Sequence, residues 1–165
     1  MSSTATIPVI AQAPKPLASD LCWLLARASH GLTTELTAAL QESGISPREH
    51  SVLATAMTGD YTQTELARVV GLDKTTMVVT LDELEAAGLA ERRTSSTDRR
   101  ARVIAVTNAG ERKVREAEAV LDRVRDDVLG VLPAAERQVF LRSLSRLACG
   151  RLSEPVACAH PVRRR

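Results

Sequence analysis

The sequence predicts a mostly α-helical chain that carries one small β-hairpin. Three observations predict it. Apolar residues recur at helical spacing through most of the chain. Two capping boxes, Ser46-Pro47-Arg48-Glu49 and Thr62-Gln63-Thr64-Glu65, mark helix starts, and Gly44, Gly71 and Gly88 stand where helices end. Only Leu89 to Val106 breaks the rhythm, as two short runs around a Thr/Ser-rich tip that carry five arginines.

Composition narrows the function classes. The chain has 165 residues, 44% hydrophobic and 25% charged, which suits one globular domain with extensions. Aromatic residues make up only 2%, so the core must be built from Leu, Val, Ile and Ala. Folds that stack single-stranded bases on exposed aromatics are thereby disfavoured. The net charge of +2 is small, so local basic patches matter more than the total. Three cysteines without a CxxC pair suggest reduced thiols. No apolar run reaches membrane-spanning length, and no basic segment precedes an apolar one at the N-terminus. A cytoplasmic protein without membrane contact is the expectation. The eight glycines stand apart, no carboxylate pair or Ser/Cys-His set is placed by spacing, and Cys158-Ala159-His160 is poor zinc spacing. No enzyme activity, cofactor or metal is expected.

Taken in order, residues 1–16 read as a flexible tail because Pro8, Pro14 and Pro16 forbid a helix. Leu17 to Glu42 is the first long helix, capped by Ser19 or Asp20, with Leu21, Leu24, Leu25, Ala28, Leu32, Leu36 and Leu40 in one stripe. The second helix starts at the Ser46 box, with Pro47 at its first position, runs to about Thr58, and packs on Val52, Leu53, Ala56 and Met57. Thr62 caps a third, short helix with Leu66, Ala67, Val69 and Val70 on its buried side. Gly71 turns the chain, and Asp73 caps a fourth helix from Lys74 to Ala87. Helix, glycine turn, helix is a helix-turn-helix. A helix from Thr107 to Val131, charged in its first half and apolar in its second, suits a spoke between a reading head and a dimer hub. A last helix after Pro133 carries Val139, Phe140, Leu144 and Leu147, and residues 151–165 form a basic, flexible tail.

The fourth helix points to duplex DNA. At 100° per residue, Met77, Val78, Leu81 and Leu84 face the core, while Thr75, Thr76, Val79 and Glu83 face away. Threonine hydroxyls and methyls next to a valine methyl suit base edges in a major groove, and the helix start favours phosphates. Asp82, Glu83 and Glu85 would be repelled, so the helix enters by its N-terminal half. The arginines of the hairpin neutralise phosphates or enter a minor groove. The expected DNA contacts are Thr62, Thr64, Lys74, Thr75, Thr76, Val79, Thr80, Arg92, Arg93, Asp98, Arg99 and Arg100, with Asp98 bracing a neighbouring arginine.

Residues 62 to 110 resemble the winged helix-turn-helix of the MarR family. The likeness rests on Thr62-Gln63-Thr64-Glu65-Leu66-Ala67, Leu72 to Met77, Leu81 to Leu89, Asp98-Arg99-Arg100-Ala101 and Thr107-Asn108-Ala109-Gly110. It implies a DNA-binding domain over 45–110, flanked by N- and C-terminal dimerisation helices at 17–44 and 111–150. It also implies a homodimeric regulator, in our reading a repressor, that reads a pseudo-palindromic double-stranded operator with half-sites one turn apart. A small aromatic or phenolic ligand would release it, held in a crevice that Trp23, His30 and His50 line by family analogy. Asp20 to Leu25 resembles the start of the OhrR-type peroxide sensors, which makes Cys22 a candidate redox thiol. Those sensors support their thiolate with tyrosines, however, and Ala26 stands where one would be. A winged helix used only for protein contacts is the alternative of another class.

Overall fold

The computed structural model describes residues 16–95 and 100–154. Residues 1–15 of the expected N-terminal tail, residues 96–99 of the hairpin and most of the C-terminal tail lie outside them. The described chain forms two compact units, one ending at Val124 and the other starting at Arg125.

In the first unit, α1 (Leu21–Ala39) starts at Asp20, whose Oδ1 accepts the Trp23 amide at 2.8 Å. It is shorter at both ends than expected. Residues 16–19 form a turn, and after the cap at Leu40 a 3-10 turn, Gln41–Ser43, carries the chain to Gly44. No residue of α1 is buried; Leu40, just beyond it, is fully so.

The capping box of α2 (Pro47–Ala56) closes both ways: Ser46 Oγ accepts the Glu49 amide at 3.2 Å, and Glu49 Oε2 accepts the Ser46 amide at 2.7 Å. The helix stops before Met57, which caps it and is exposed rather than on the buried side. Thr62 and Glu65 form the same box on α3 (Gln63–Val70). Val69 is a second correction, because it lies open to solvent. At about 100° per residue it falls roughly 100° away from the face shared by Leu66, Ala67 and Val70. Gly71 takes φ 78°, and its amide and that of Leu72 both donate to the Ala67 carbonyl at 2.9 Å. A side chain there would strain the left-handed turn between the two helices. Then α4 (Lys74–Ala86) buries Met77, Thr80, Leu81 and Leu84.

Strands β1 (Ala90–Thr94) and β2 (Arg102–Val106) pair antiparallel, with Ala90 opposite Val106 and Arg92 opposite Ile104. The outer edge of β2 is covered: the Ile104 amide donates to the Tyr61 carbonyl at 3.0 Å, and Thr62 bridges Val103. Thr107 ties the hairpin to α5 (Asn108–Leu129). Its amide donates to Leu89 O, its hydroxyl donates to Gly88 O, and its Oγ1 accepts the Gly110 amide. A Cβ on Gly110 would lie 2.1 Å from the Leu89 carbonyl oxygen, so only glycine fits that approach.

One core joins these elements. Leu40, Ile45, Val52, Leu53, Leu66, Met77, Leu81, Leu84, Leu89 and Ile104 meet Val114 and Ala117 of α5. The aliphatic core expected from composition is present, with Tyr61 only partly buried at its edge.

The second unit holds the end of α5, α6 (Ala134–Arg146) and a π turn, Leu147–Arg151. Arg137 donates to Leu132 O at 3.0 Å and Gly130 O at 3.3 Å, satisfying carbonyls beyond the end of α5. No residue of α6 is buried. No helix among the described residues is long and apolar enough to cross a membrane.

A candidate nucleic-acid interface

The start of α4 is built around Asp73. Its Oδ1 accepts the Thr76 amide at 2.9 Å and its Oδ2 accepts the Thr76 hydroxyl at 2.5 Å. These bonds hold the carboxyl below its ordinary range, first through the hydroxyl and then through the amide. Glu65 is likewise lowered by the Thr62 amide and hydroxyl. Each helix of the motif therefore starts with a carboxylate engaged at its first turn, Glu65 reaching back to Thr62 and Asp73 capping α4.

Above the cap, Lys74, Thr75 and Val79 stand exposed. Thr76 is half-buried, with its hydroxyl proton given to Asp73. Thr80 corrects the expected set. It is fully buried, lying within about 70° of the line through Met77, Leu81 and Leu84. Its hydroxyl donates to the Thr76 carbonyl at 2.8 Å, which satisfies it inside the core. Its side chain cannot reach a base.

Thr64 is exposed on α3, and Thr62 is half-buried with its hydroxyl and amide engaged by Glu65. A cleft of about 260 Å³ between the two helices is lined by Gln63, Thr64, Ala67, Arg68, Leu72, Lys74 and Met77. Arg68 was not anticipated from sequence. The signal was available: a cation four residues after Thr64 shares its helix face.

The acids on the far half of α4 are paired. Glu83 lies 3.8 Å from Arg48 of α2, and Asp82 and Glu85 both engage Arg92 of β1. On the opposite side of the strand, Arg93 lies 3.6 Å from Asp60. Arg100 is exposed, and Arg102 donates to Thr94 Oγ1 at 3.1 Å across the hairpin. Asp98 and Arg99 lie outside the described residues.

The residues expected at a ligand site are not gathered in the same way. His30 is exposed on α1, Trp23 is half-buried, and His50 is half-buried on α2 with Nε2 turned inward and unbonded among the described residues. Burial lowers the His50 pKa, opposed in part by the Glu118 carboxylate on α5. A second cleft, of about 330 Å³, is lined by Met57, Asp60, Arg93, Ile104, Val106 and Glu111 among others, and by none of these three. Cys22 and Cys149 are exposed free thiols. Tyr61 lies by the Thr58 hydroxyl, 3.3 Å away, in the turn before α3.

Comparison with known proteins now bears on this geometry. A sequence profile of the MarR family matches residues 43–101, from the end of the 3-10 turn into the wing. The MarR family protein Rv2887 of Mycobacterium tuberculosis, solved with salicylic acid, is 30% identical; the match covers 82% of this chain and 97% of that one, with a TM-score of 0.65. CouR of Rhodococcus jostii RHA1, solved with p-coumaroyl-CoA, is 28% identical over 86% of this chain and 97% of that one, with a TM-score of 0.72. The repressor CouR on a 23-mer DNA duplex is 26% identical over 83% and 99%, with a TM-score of 0.73. The helix-turn-helix followed by a two-stranded wing is thus the DNA-binding fold of these regulators, and the chain belongs to the MarR family of transcriptional regulators.

Proposed function

We propose that this protein is a homodimeric, cytoplasmic repressor that reads a pseudo-palindromic duplex operator and leaves it when a small aromatic ligand binds. One observation carries the DNA reading: α4 presents Lys74, Thr75 and Val79 openly at its start, while each acid on its far half is held by an arginine. A groove-facing N-terminal half with neutralised acids behind it suits entry of a helix by its tip. Thr64, Arg68 and Lys74 around the inter-helix cleft, with Arg99, Arg100 and Arg102 on the wing, supply the phosphate contacts. Thr62 and Thr76 position that surface through their caps.

The dimer reading rests on apolar surface. In the first unit α1 leaves Leu21 at 56% exposure, with Leu24 and Leu32 also open. In the second, Val131 is 84% exposed and Val139, Phe140 and Leu147 are open. Open apolar residues on α1 and α6, helices with no buried residue, and in the turns that flank α6 call for a cover, and a second copy of the chain provides one. The ligand reading rests on His50, whose inward Nε2 offers a hydrogen bond to a phenol or carboxylate, with Trp23 and His30 of α1 as further candidates by family analogy. CouR and Rv2887 were solved with p-coumaroyl-CoA and salicylic acid, so these two compounds are the first effectors to try.

Duplex binding measured over a salt series tests the reading. A repressor of this kind loses affinity steeply with salt, by about 0.9 log units per log unit of salt for each phosphate contacted. Arg100→Ala should weaken binding by about 1–3 kcal/mol and make that slope shallower. A winged helix used only for protein contacts would retain no duplex in a sequence-selective way.

A further inference from the structure

Arg92 was expected among the phosphate contacts, and its surroundings give it a different task. Three of its groups are bound to α4. Its backbone amide donates to Glu85 Oε1 at 2.9 Å, Nη1 donates to Glu85 Oε2, and Nη2 donates to Asp82 Oδ1 at 2.8 Å. Its side chain is 31% exposed, as is that of Glu85. The amide bond matters as much as the ion pair. Arg92 and Ile104 stand opposite each other with both amides directed out of the ladder, to Glu85 and to Tyr61 O respectively. The wing is thus tied along both edges: β2 to the segment before α3, and β1 to the back of the reading helix.

We propose that Arg92 is a positioning residue that fixes the angle of the wing against α4 and does not contact the operator. The proposal rests on the DNA-binding reading above. A guanidinium whose two terminal nitrogens already donate to two carboxylates has its charge more than offset and its fork engaged, so a phosphate gains little from it. Loss of the brace leaves α4 and the wing individually intact but no longer held at the spacing that lets one enter the groove while the other grips the backbone. The effect therefore falls on affinity and on half-site preference, and not on the number of phosphates touched.

The acid partner supplies the discriminating test. Bind wild type, Arg92→Gln and Glu85→Gln over a salt series to an operator obtained by selecting wild-type-bound sequences from random duplex DNA, and to unrelated duplex, with circular dichroism and thermal unfolding to verify the fold. If Arg92 braces the wing, both variants lose operator affinity by about tenfold, keep the wild-type salt slope, and lose more on the operator than on unrelated duplex. If Arg92 instead grips a phosphate, Arg92→Gln flattens the slope by about 0.9 for each phosphate no longer neutralised, and Glu85→Gln, which removes a negative charge near DNA, binds as well as wild type or better. That pair of results overturns the proposal. Should Glu85→Gln unfold, Asp82→Asn, whose exposed carboxylate reaches Arg92 through Nη2 alone, gives the same contrast in sign at smaller size. Failure of wild type to bind any duplex would instead remove the DNA reading and this inference with it.

Discussion

Single residues decide which parts of the surface read and which hold. Thr80 and Val79 are neighbours in sequence with opposite fates: one is sealed in the core on the Thr76 carbonyl, and the other stands open to solvent on the far side of α4. Thr80→Val should leave base preference unchanged, whereas Val79→Ala should shift it wherever the site presents a thymine methyl; selection of bound duplexes by each variant checks both. Gly110 shows the same economy at a joint. Gly110→Ala places a methyl against the Leu89 carbonyl and the Val106 side chain, so a loss of about 2 kcal/mol or more is expected in urea unfolding. The sequence already placed Asp73, Ser46 and Thr62 as caps, because a cap needs only local chemistry. It misassigned Thr80 and Met57 because a rotation of some tens of degrees, or a helix two residues shorter, decides their burial. It missed the brace at Arg92 because Glu85 lies seven positions away on another element.

Elements carry the pH dependence and the coupling. His50 ties α2 to the neighbourhood of Glu118 on α5, and burial keeps its imidazole neutral below the ordinary 6.5. The unfolded chain takes up that proton first as pH falls, so this group costs native stability as pH drops below about 6.5 until the folded ring is protonated too. His50→Gln should flatten the fall in urea midpoint between about pH 7 and 5.5. An unchanged profile would place that dependence elsewhere. The caps work lower: the lowered Glu65 and Asp73 carboxyls contribute stability above the ordinary carboxylate range and lose it as pH falls through their folded values. Among the described residues the α-helices and the hairpin were legible from spacing, capping boxes and glycine turns, whereas the 3-10 turn and the π turn were not. What spacing could not supply was the partner of each face. The stripe on α1 reads like any core helix, yet in the single chain it is open.

At the scale of the whole molecule, those open stripes and the reading surface belong to one reading of the protein. Phe140→Arg, on a helix with no buried residue, should leave each chain folded while shifting light-scattering mass from dimer toward monomer and weakening operator binding. A wild-type monomer at micromolar concentration would contradict the dimer. The likeness to the MarR family was already visible in the chain from Thr62 to Gly110, because a motif that must fit DNA leaves little freedom in its residues. The effector was not legible, since Trp23, His30 and His50 come from separate stretches and no spacing rule joins them. The most direct measurement is selection of bound sequences from random duplex DNA by the full chain at about physiological salt. Enrichment of a pseudo-palindrome with half-sites one helical turn, about 34–36 Å, apart is the expected result. No enriched sequence from an intact dimer would show that the wing binds duplex indiscriminately or that the partner is not DNA, and would contradict the proposed function.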